Sequence, residues 1–405
     1  MKKAFNRLIV LQLLSVMLVI IGCTSMKGKT NEQGQDMMKL PPLKDQFSEY
    51  FLIGNIIHNG KHRTGIEHPS DVPRGETTVI NERLTRHYNI VTHEDDMKPS
   101  SLTNGRNAQT GQISYTWDTA DRMTNAALKS GFLVVGHTLL WHNQIPQWHR
   151  DMANQPKEIA LAAMRQYIKD VMEHYAGKIY SWDVVNEIFP GSFSNVNADW
   201  RMVMRQENPW YKAIGADFIY EAFLAARRAD PKAILYYNDY NLNERGKSTM
   251  VRNMVRDINE KYKTEYPNET RLLIEGIGMQ SHHNTGVAAF SVQNTLDLFR
   301  PLGVKISISE LDVLSQSWGE YSPNRLPPTE AGKRTAAQLY GEYFKIFLEN
   351  ADIIERITFW GVYDEHSWRW EGLPQIFEGS DVSRAKPAYY SIIEALNKHK
   401  EHKDN

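Results

Sequence analysis

Eight short runs of β-branched and aromatic residues, each followed by a stretch of helical periodicity, limit the architectures open to this chain. The runs are Phe51–Asn55, Tyr88–His93, Phe132–His137, Ile179–Asn186, Ala233–Asn238, Leu273–Gln280, Val304–Glu310 and Ile357–Val362. Between them, segments such as Ile159–Tyr175, Ile214–Arg228 and Ala331–Leu348 place apolar residues at spacings of three and four. Runs such as "FLVVGHT" and "VKISIS" show no polar alternation, the pattern of strands buried on both faces in a parallel sheet covered by helices. Eight such units are the count of a closed (β/α)8 barrel, a TIM barrel of the α/β class. An open doubly wound sheet alternates too, but its first strand usually enters a Gly-rich phosphate loop, and "FLIGNIIHNG" lacks the G-x-G-x-x-G spacing. A single barrel over residues 47–398 is therefore expected.

In such a barrel the chemistry lies where the strands stop. Read in order, those positions are Glu94, Asp95 and Lys98; His137, Trp141 and Gln144; Asn186 and Glu187; Asn238 and Tyr240; Gln280 and His282; Glu310 and Asp312; and Trp360. Packing alone does not explain apolar strands that each finish in a hydrogen-bonding side chain, because an unpaired buried polar group costs a few kcal/mol. A polar ligand in the mouth of the barrel does.

Two carboxylates stand out, Glu187 in "WDVVNE" and Glu310 in "ISELDV". Each ends an apolar strand, and strands four and seven are expected to face one another across the ring. A single Glu at such a place is as readily a loop residue in a surface ion pair. Two flanking one cleft are what glycosidic bond cleavage requires, one to protonate the leaving oxygen and one to act at the anomeric carbon.

The motifs "GHTLLWHNQIPQW", "WDVVNE", "YYNDYN", "GIGMQSHH", "ISELDV" and "WGVYDEHSW" occur in one order and spacing. In this the chain resembles glycoside hydrolase family 10, the retaining endo-β-1,4-xylanases, from about Asn81 to Tyr390. The resemblance implies that Glu310 is the nucleophile and Glu187 the acid/base. It implies that His282 and Asn186 point at Glu310, that Asp312 orients His282, and that Gln280 hydrogen-bonds Glu187. By the same resemblance Asn186 donates to the sugar 2-OH. His137 and Lys98, with Glu94 and Gln144 farther along, hold sugar on the non-reducing side, where Trp141, Trp360 and Trp368 wall the cleft. Tyr240 meets the sugar on the leaving-group side, and His283 is read as structural.

The chain departs from the family at Asp95, where Asn is usual, and at Asp96, where Glu is common. Asn donates and accepts, whereas an ionised Asp only accepts, so the sugar contact at Asp95 is expected to differ. The segment "NIIHNGKHRTGIEHPSDVPRGETT" is also unlike the family's short first connection. Its His58, His62 and His68 invite a metal reading, but no carboxylate set stands at ligand spacing, and a solvated loop is expected instead.

At the N-terminus, Lys2, Lys3 and Arg7 precede an apolar run from Leu8 to Ile21, too short for a comfortable membrane span and suited to a signal-peptide core. It ends in Ile20-Ile21-Gly22-Cys23, which resembles a bacterial lipobox. Residues 1–22 are therefore expected to be a lipoprotein signal, Cys23 the lipidated residue, 23–46 a flexible tether and 399–405 a polar tail. Such a chain would be exported and anchored in a bacterial cell envelope, at the outer membrane or cell surface. Cys23 is the only cysteine, which rules out an intrachain disulfide or a Cys-based metal cluster.

With 47 Lys and Arg against 48 Asp and Glu, the net charge of -1 gives no field to gather a nucleic acid. The expected partners are xylan and xylo-oligosaccharides, with no cofactor or metal and a monomeric chain. The 10 Trp and 19 Tyr suit stacking on sugars. Two rival readings share the barrel. A metal-dependent hydrolase would need His and Asp ligands at strand ends, and the first strand has no H-x-H pair. A non-catalytic sugar-binding lipoprotein would need neither carboxylate.

Overall fold

The computed structural model describes residues 34–58, 80–322 and 326–404. All eight expected strands form: β1 Leu52–Ile57, β2 Ile90–His93, β3 Leu133–Leu140, β4 Ser181–Asn186, β5 Ile234–Asp239, β6 Gly276–Met279, β7 Lys305–Leu314 and β8 Ile354–Phe359. Each pairs in parallel with its neighbours in chain order, and β8 pairs with both β7 and β1, which closes the ring. Every residue of β4 and β6 is buried, as the unbroken apolar runs require.

A helix follows each strand: α1 Glu82–His87, α2 Asp118–Lys129, α3 Lys157–His174, α4 Phe218–Ala229, α5 Arg245–Glu265, α6 Ala289–Phe299, α7 Glu330–Glu349 and α8 Pro387–Asp404. In α3 the buried side chains Ala160, Ala163, Met164, Tyr167, Ile168, Val171 and Met172 keep the three-and-four spacing that faces the sheet. The helix expected over Ile214–Arg228 is broken. A short helix, Pro209–Ile214, ends at Gly215, whose positive φ of 82° glycine adopts without strain, and α4 starts at Phe218.

Two expected boundaries move. The folded part begins before residue 47, because Met37, Leu40, Leu43 and Phe47 are all buried. Backbone hydrogen bonds from Met37 to the Ser383 carbonyl and from Ala385 to the Gln35 carbonyl tie this stretch down. Apolar residues three and four apart were enough to dock a segment that is otherwise polar. At the other end α8 continues through most of the expected tail, where no Gly or Pro stops it. The signal segment, Cys23 and the greater part of the tether lie outside the described residues, as do His62 and His68.

Candidate active site

Glu187 follows β4 directly and takes a left-handed backbone, φ 55°, which residues with a side chain adopt rarely and mostly under functional constraint. Its N–H donates to the Asn238 carbonyl at 2.9 Å, pinning this turn to β5. Glu310 sits within β7 at an irregularity, where Ile308 pairs with Ile357 but Leu311 with Phe359. One extra residue on the β7 side re-aims the side chains there, the usual effect of a bulge beside a site.

Strands four and seven do not stand opposite one another. In the ring, β5 and β6 alone separate β4 from β7. Side chains at the ends of those two strands hold the two carboxylates. Asn238 of β5 donates from Nδ2 to Glu310 Oε1 at 2.8 Å, and the same nitrogen lies 3.0 Å from Asn186 Oδ1. Gln280, just past β6, donates to Glu187 Oε1 at 2.8 Å and lies 3.4 Å from Asn186 Oδ1. Gly278 makes this possible, since a Cβ there would fall 2.1 Å from Asn238 Oδ1.

The amide donor to Glu310 is thus Asn238, in place of the Asn186 that the resemblance implies. Asn186 is set back by its register, being the direct pairing partner of Asn238 on the neighbouring strand. Its amide lies between Asn238 and Trp141: one end is 3.1 Å from the Asn238 carbonyl and the other 3.3 Å from the Trp141 indole nitrogen.

On its other side Glu310 accepts from His282. The imidazole bridges two carboxylates, Nε2 lying 3.0 Å from Glu310 Oε2 and Nδ1 2.9 Å from Asp312 Oδ2. A three-residue strand, His282–Asn284, fixes this by pairing His282 with Asp312 on β7. Burial pulls the His282 imidazole down, but the charges and hydrogen bonds of Asp312 and Glu310 outweigh it and push it up to about 9. Burial likewise pushes the Glu310 carboxyl up, and the His282 hydrogen bond, the charges of His137 and His282 and the Asn238 donor reverse this, holding it below its ordinary value. Glu310 is built to stay ionised. Next door, burial takes the His283 ring down to about 3, so it is neutral, as a structural histidine packed on Tyr343 should be.

The family model for "Glycosyl hydrolase family 10" matches residues 43–395. The chain belongs to that family. It is 32% identical to "Endo-1,4-beta-xylanase A" of Thermotoga maritima over 366 residues, 88% of this chain but 31% of that protein, so it spans about a third of that relative's length. With "Beta-1,4-xylanase" of Dictyoglomus thermophilum it shares 30% identity, covering 93% of this chain and 97% of the relative. A crystal structure of a bacterial Ig-like domain containing GH10 xylanase from termite gut superposes with a TM-score of 0.83 at 50% identity, over 92% of this chain and 81% of that one.

In this member of the family the residues expected on the non-reducing side gather round the ends of β2 and β3. Lys98 and Glu94 are buried, Lys98 pairing with Asp95 at 3.0 Å and standing 5.1 Å from the centre of the Trp141 ring. Gln144 also donates to Asp95, at 2.9 Å. The carboxylate that replaces the family's usual Asn thus gathers a lysine and an amide. His137 is held at 2.9 Å by Asp183, which lies inside β4 before its polar end. Trp360 meets His137 and His282 edge-on, at 5.7 and 6.2 Å, while Trp368 is half exposed and edge-on to His282 at 5.2 Å.

Beside Glu187 and Tyr240 lies a second group of charged side chains. Arg205 donates to the Glu187 carbonyl at 3.0 Å and to the Tyr240 hydroxyl at 2.5 Å. Lys247 packs 3.4 Å from the centre of the Tyr240 ring and pairs with Asp239 at 2.7 Å. Burial pushes the Asp239 carboxyl up to about 6 and draws Lys247 below its ordinary value. These cations come from the β4 connection and from α5, outside the strand-end motifs, and only the fold brings them to the site.

Proposed function

We propose that this glycosyl hydrolase is a retaining endo-1,4-β-xylanase acting on internal bonds of xylan. The observation that carries the reading is the Asn238–Glu310–His282 arrangement beside Glu187: one carboxylate held ionised by two donors, the other hydrogen-bonded by a neutral amide. In the first step a Glu310 oxygen attacks the anomeric carbon, the glycosidic C–O bond breaks, and Glu187 gives its proton to the leaving oxygen. Glu310 is then an ester and has lost its charge. In the second step Glu187 takes a proton from water, the resulting oxygen attacks the anomeric carbon, and Glu310 leaves as a carboxylate. The resemblance would have Asn186 donate to the 2-OH of that sugar, and the names of the relatives support xylan as the polymer.

The test is Glu310→Ala on β-1,4-xylan, with the anomer of the first product followed by NMR in the unmodified enzyme. Loss of turnover in a folded variant, with β-anomer released first by wild type, is expected. Near wild-type turnover in the variant, or first release of the α-anomer, would remove the mechanism.

The anchoring is part of the same proposal. A monomeric chain exported by residues 1–22 and lipidated at Cys23 would sit on a bacterial envelope and cut polymer from outside. In a Gram-negative host, Cys23→Ala should move activity from the membrane fraction to the soluble one, and an unchanged distribution would rule the anchor out.

A further inference from the structure

Behind the nucleophile four ionisable side chains run in single file. Glu310 accepts from His282 at 3.0 Å, His282 meets Asp312 at 2.9 Å, and Asp312 Oδ1 accepts from Arg369 Nη1 at 2.5 Å. Their charges alternate. Asp312 shows no solvent exposure and Arg369 only 2%, so neither has water to support it.

Arg369 is reached from three directions. It belongs to the connection after β8, it grips Asp312 of β7, and its Nη2 donates to the His283 carbonyl at 3.3 Å in the segment after β6. Its guanidinium also lies 5.6 Å from the centre of the Trp318 ring and 5.7 Å from that of Trp368. A planar fork suits such a place, because it holds a carboxylate and a carbonyl at once while stacking on aromatic faces, and an ammonium does not. Taking an arginine out of water is costly unless it is well paired. Something in the site must need it there.

We propose that Arg369 is a positioning residue for the nucleophile, fixing the Asp312 carboxylate so that it orients His282 toward Glu310. Arg369 touches no reacting atom and acts only along the file. The groups that face Asp312 are Arg369, His282, His283 and the phenol of Tyr340; those that face Glu310 are His282, Asn238 and His137. Remove Arg369 and Asp312 keeps His282 as its remaining hydrogen-bonded cation. Burial, which opposes the charge of Asp312, then meets less resistance, and a carboxyl that takes up a proton no longer holds the imidazolium in line. The proposal rests on Glu310 being the nucleophile, as argued above.

The experiment compares wild type, Arg369→Met, Arg369→Lys, Asp312→Asn and the double variant Arg369→Met/Asp312→Asn on xylan and on an aryl xylobioside across pH. Hydrolysis by wild type in the same assay separates this question from that of the function itself. Arg369→Met is expected to lower kcat/KM about 10²-fold, through kcat with KM little changed, since misplacement of a reacting group by about 1 Å has that effect. Its acidic limb should move to higher pH. Arg369→Lys, which keeps the charge without the fork, should fold and lose about tenfold in kcat. The double variant should be no worse than Asp312→Asn alone, because groups in one chain of contacts do not act independently. A folded Arg369→Met with wild-type kcat and limb, or an unaffected Arg369→Lys, would overturn the proposal. So would losses from the two single substitutions that multiply in the double variant. If Arg369→Met does not fold, the lysine variant and its pH profile decide alone.

Discussion

Asn238 and Glu310 sit on strands separated only by β6, and the amide nitrogen of one lies 2.8 Å from the carboxylate of the other. This bond reaches across the end of β6, over Gly278, and no local stretch of sequence contains both ends of it. Removing it tests how Glu310 keeps its charge.

Asn238→Ala should lower kcat/KM about 10- to 100-fold, a loss of one charge-assisted hydrogen bond of about 1.5–3 kcal/mol. As the proposed nucleophile Glu310 must work ionised, and Asn238 is one of the groups that hold its carboxyl below the ordinary value. Without that donor the carboxyl rises, and the acidic limb of kcat/KM should move to higher pH. A pH–rate profile that keeps its acidic limb in place would show that His282 suffices.

Glu187→Ala addresses the other carboxylate. Xylan hydrolysis should fall about 10²–10⁴-fold, the range of a lost general acid/base. An aryl xylobioside whose leaving group needs no proton should still react once, then stall as a covalent intermediate visible by mass spectrometry. Azide, a nucleophile that needs no base, should release it as the β-glycosyl azide. An α-azide product would contradict a double displacement.

The fold was legible in eight runs of apolar residues because strand burial is a local property: a run with no polar alternation has two covered faces wherever it ends up. Glu187 and Glu310 were legible for a related reason, being charges placed where such runs stop. Asn238 was visible as a polar strand end, but its role was not, because which side chain faces Glu310 depends on strand order and register. Arg205 and Lys247 lie outside the quoted motifs, and Arg369 directly follows one of them without a role being read for it. They come from helices and connections, where a basic residue ordinarily faces water, and only the closed ring turns them inward. The start of the domain was misplaced at residue 47 because Met37, Leu40 and Leu43 are diluted among polar neighbours.

His282 makes stability depend on pH. Its pKa rises from 6.5 to about 9 in the fold, so the native state holds a proton the unfolded chain releases. That stabilisation is complete below about pH 6.5 and disappears as pH climbs through 9. It amounts at most to something on the order of 3 kcal/mol. Urea unfolding at pH 6.5 and 9.5 should show the loss in wild type and a smaller one in His282→Gln. Parallel losses in the two proteins would assign the slope to other groups.

Asp95→Asn restores the family's usual residue. It keeps an acceptor for Gln144 and breaks the ion pair with Lys98, leaving that buried ammonium free to turn toward sugar. The expected result is a severalfold change in KM for xylo-oligosaccharides long enough to reach Lys98, with kcat nearly constant, since Asp95 holds Lys98 and Gln144. Kinetics over a series of chain lengths would reveal it. A fall in kcat at unchanged KM would place Asp95 in the chemistry instead.

Glu187 carries its carboxylate on a backbone of φ 55°. A designer who grafts this pair of acids onto another barrel by matching side chains alone will place a glutamate on ordinary extended backbone, and its proton will be delivered in the wrong direction. The transferable unit is the whole corner, from the last residue of β4 through the hydrogen bond to the Asn238 carbonyl.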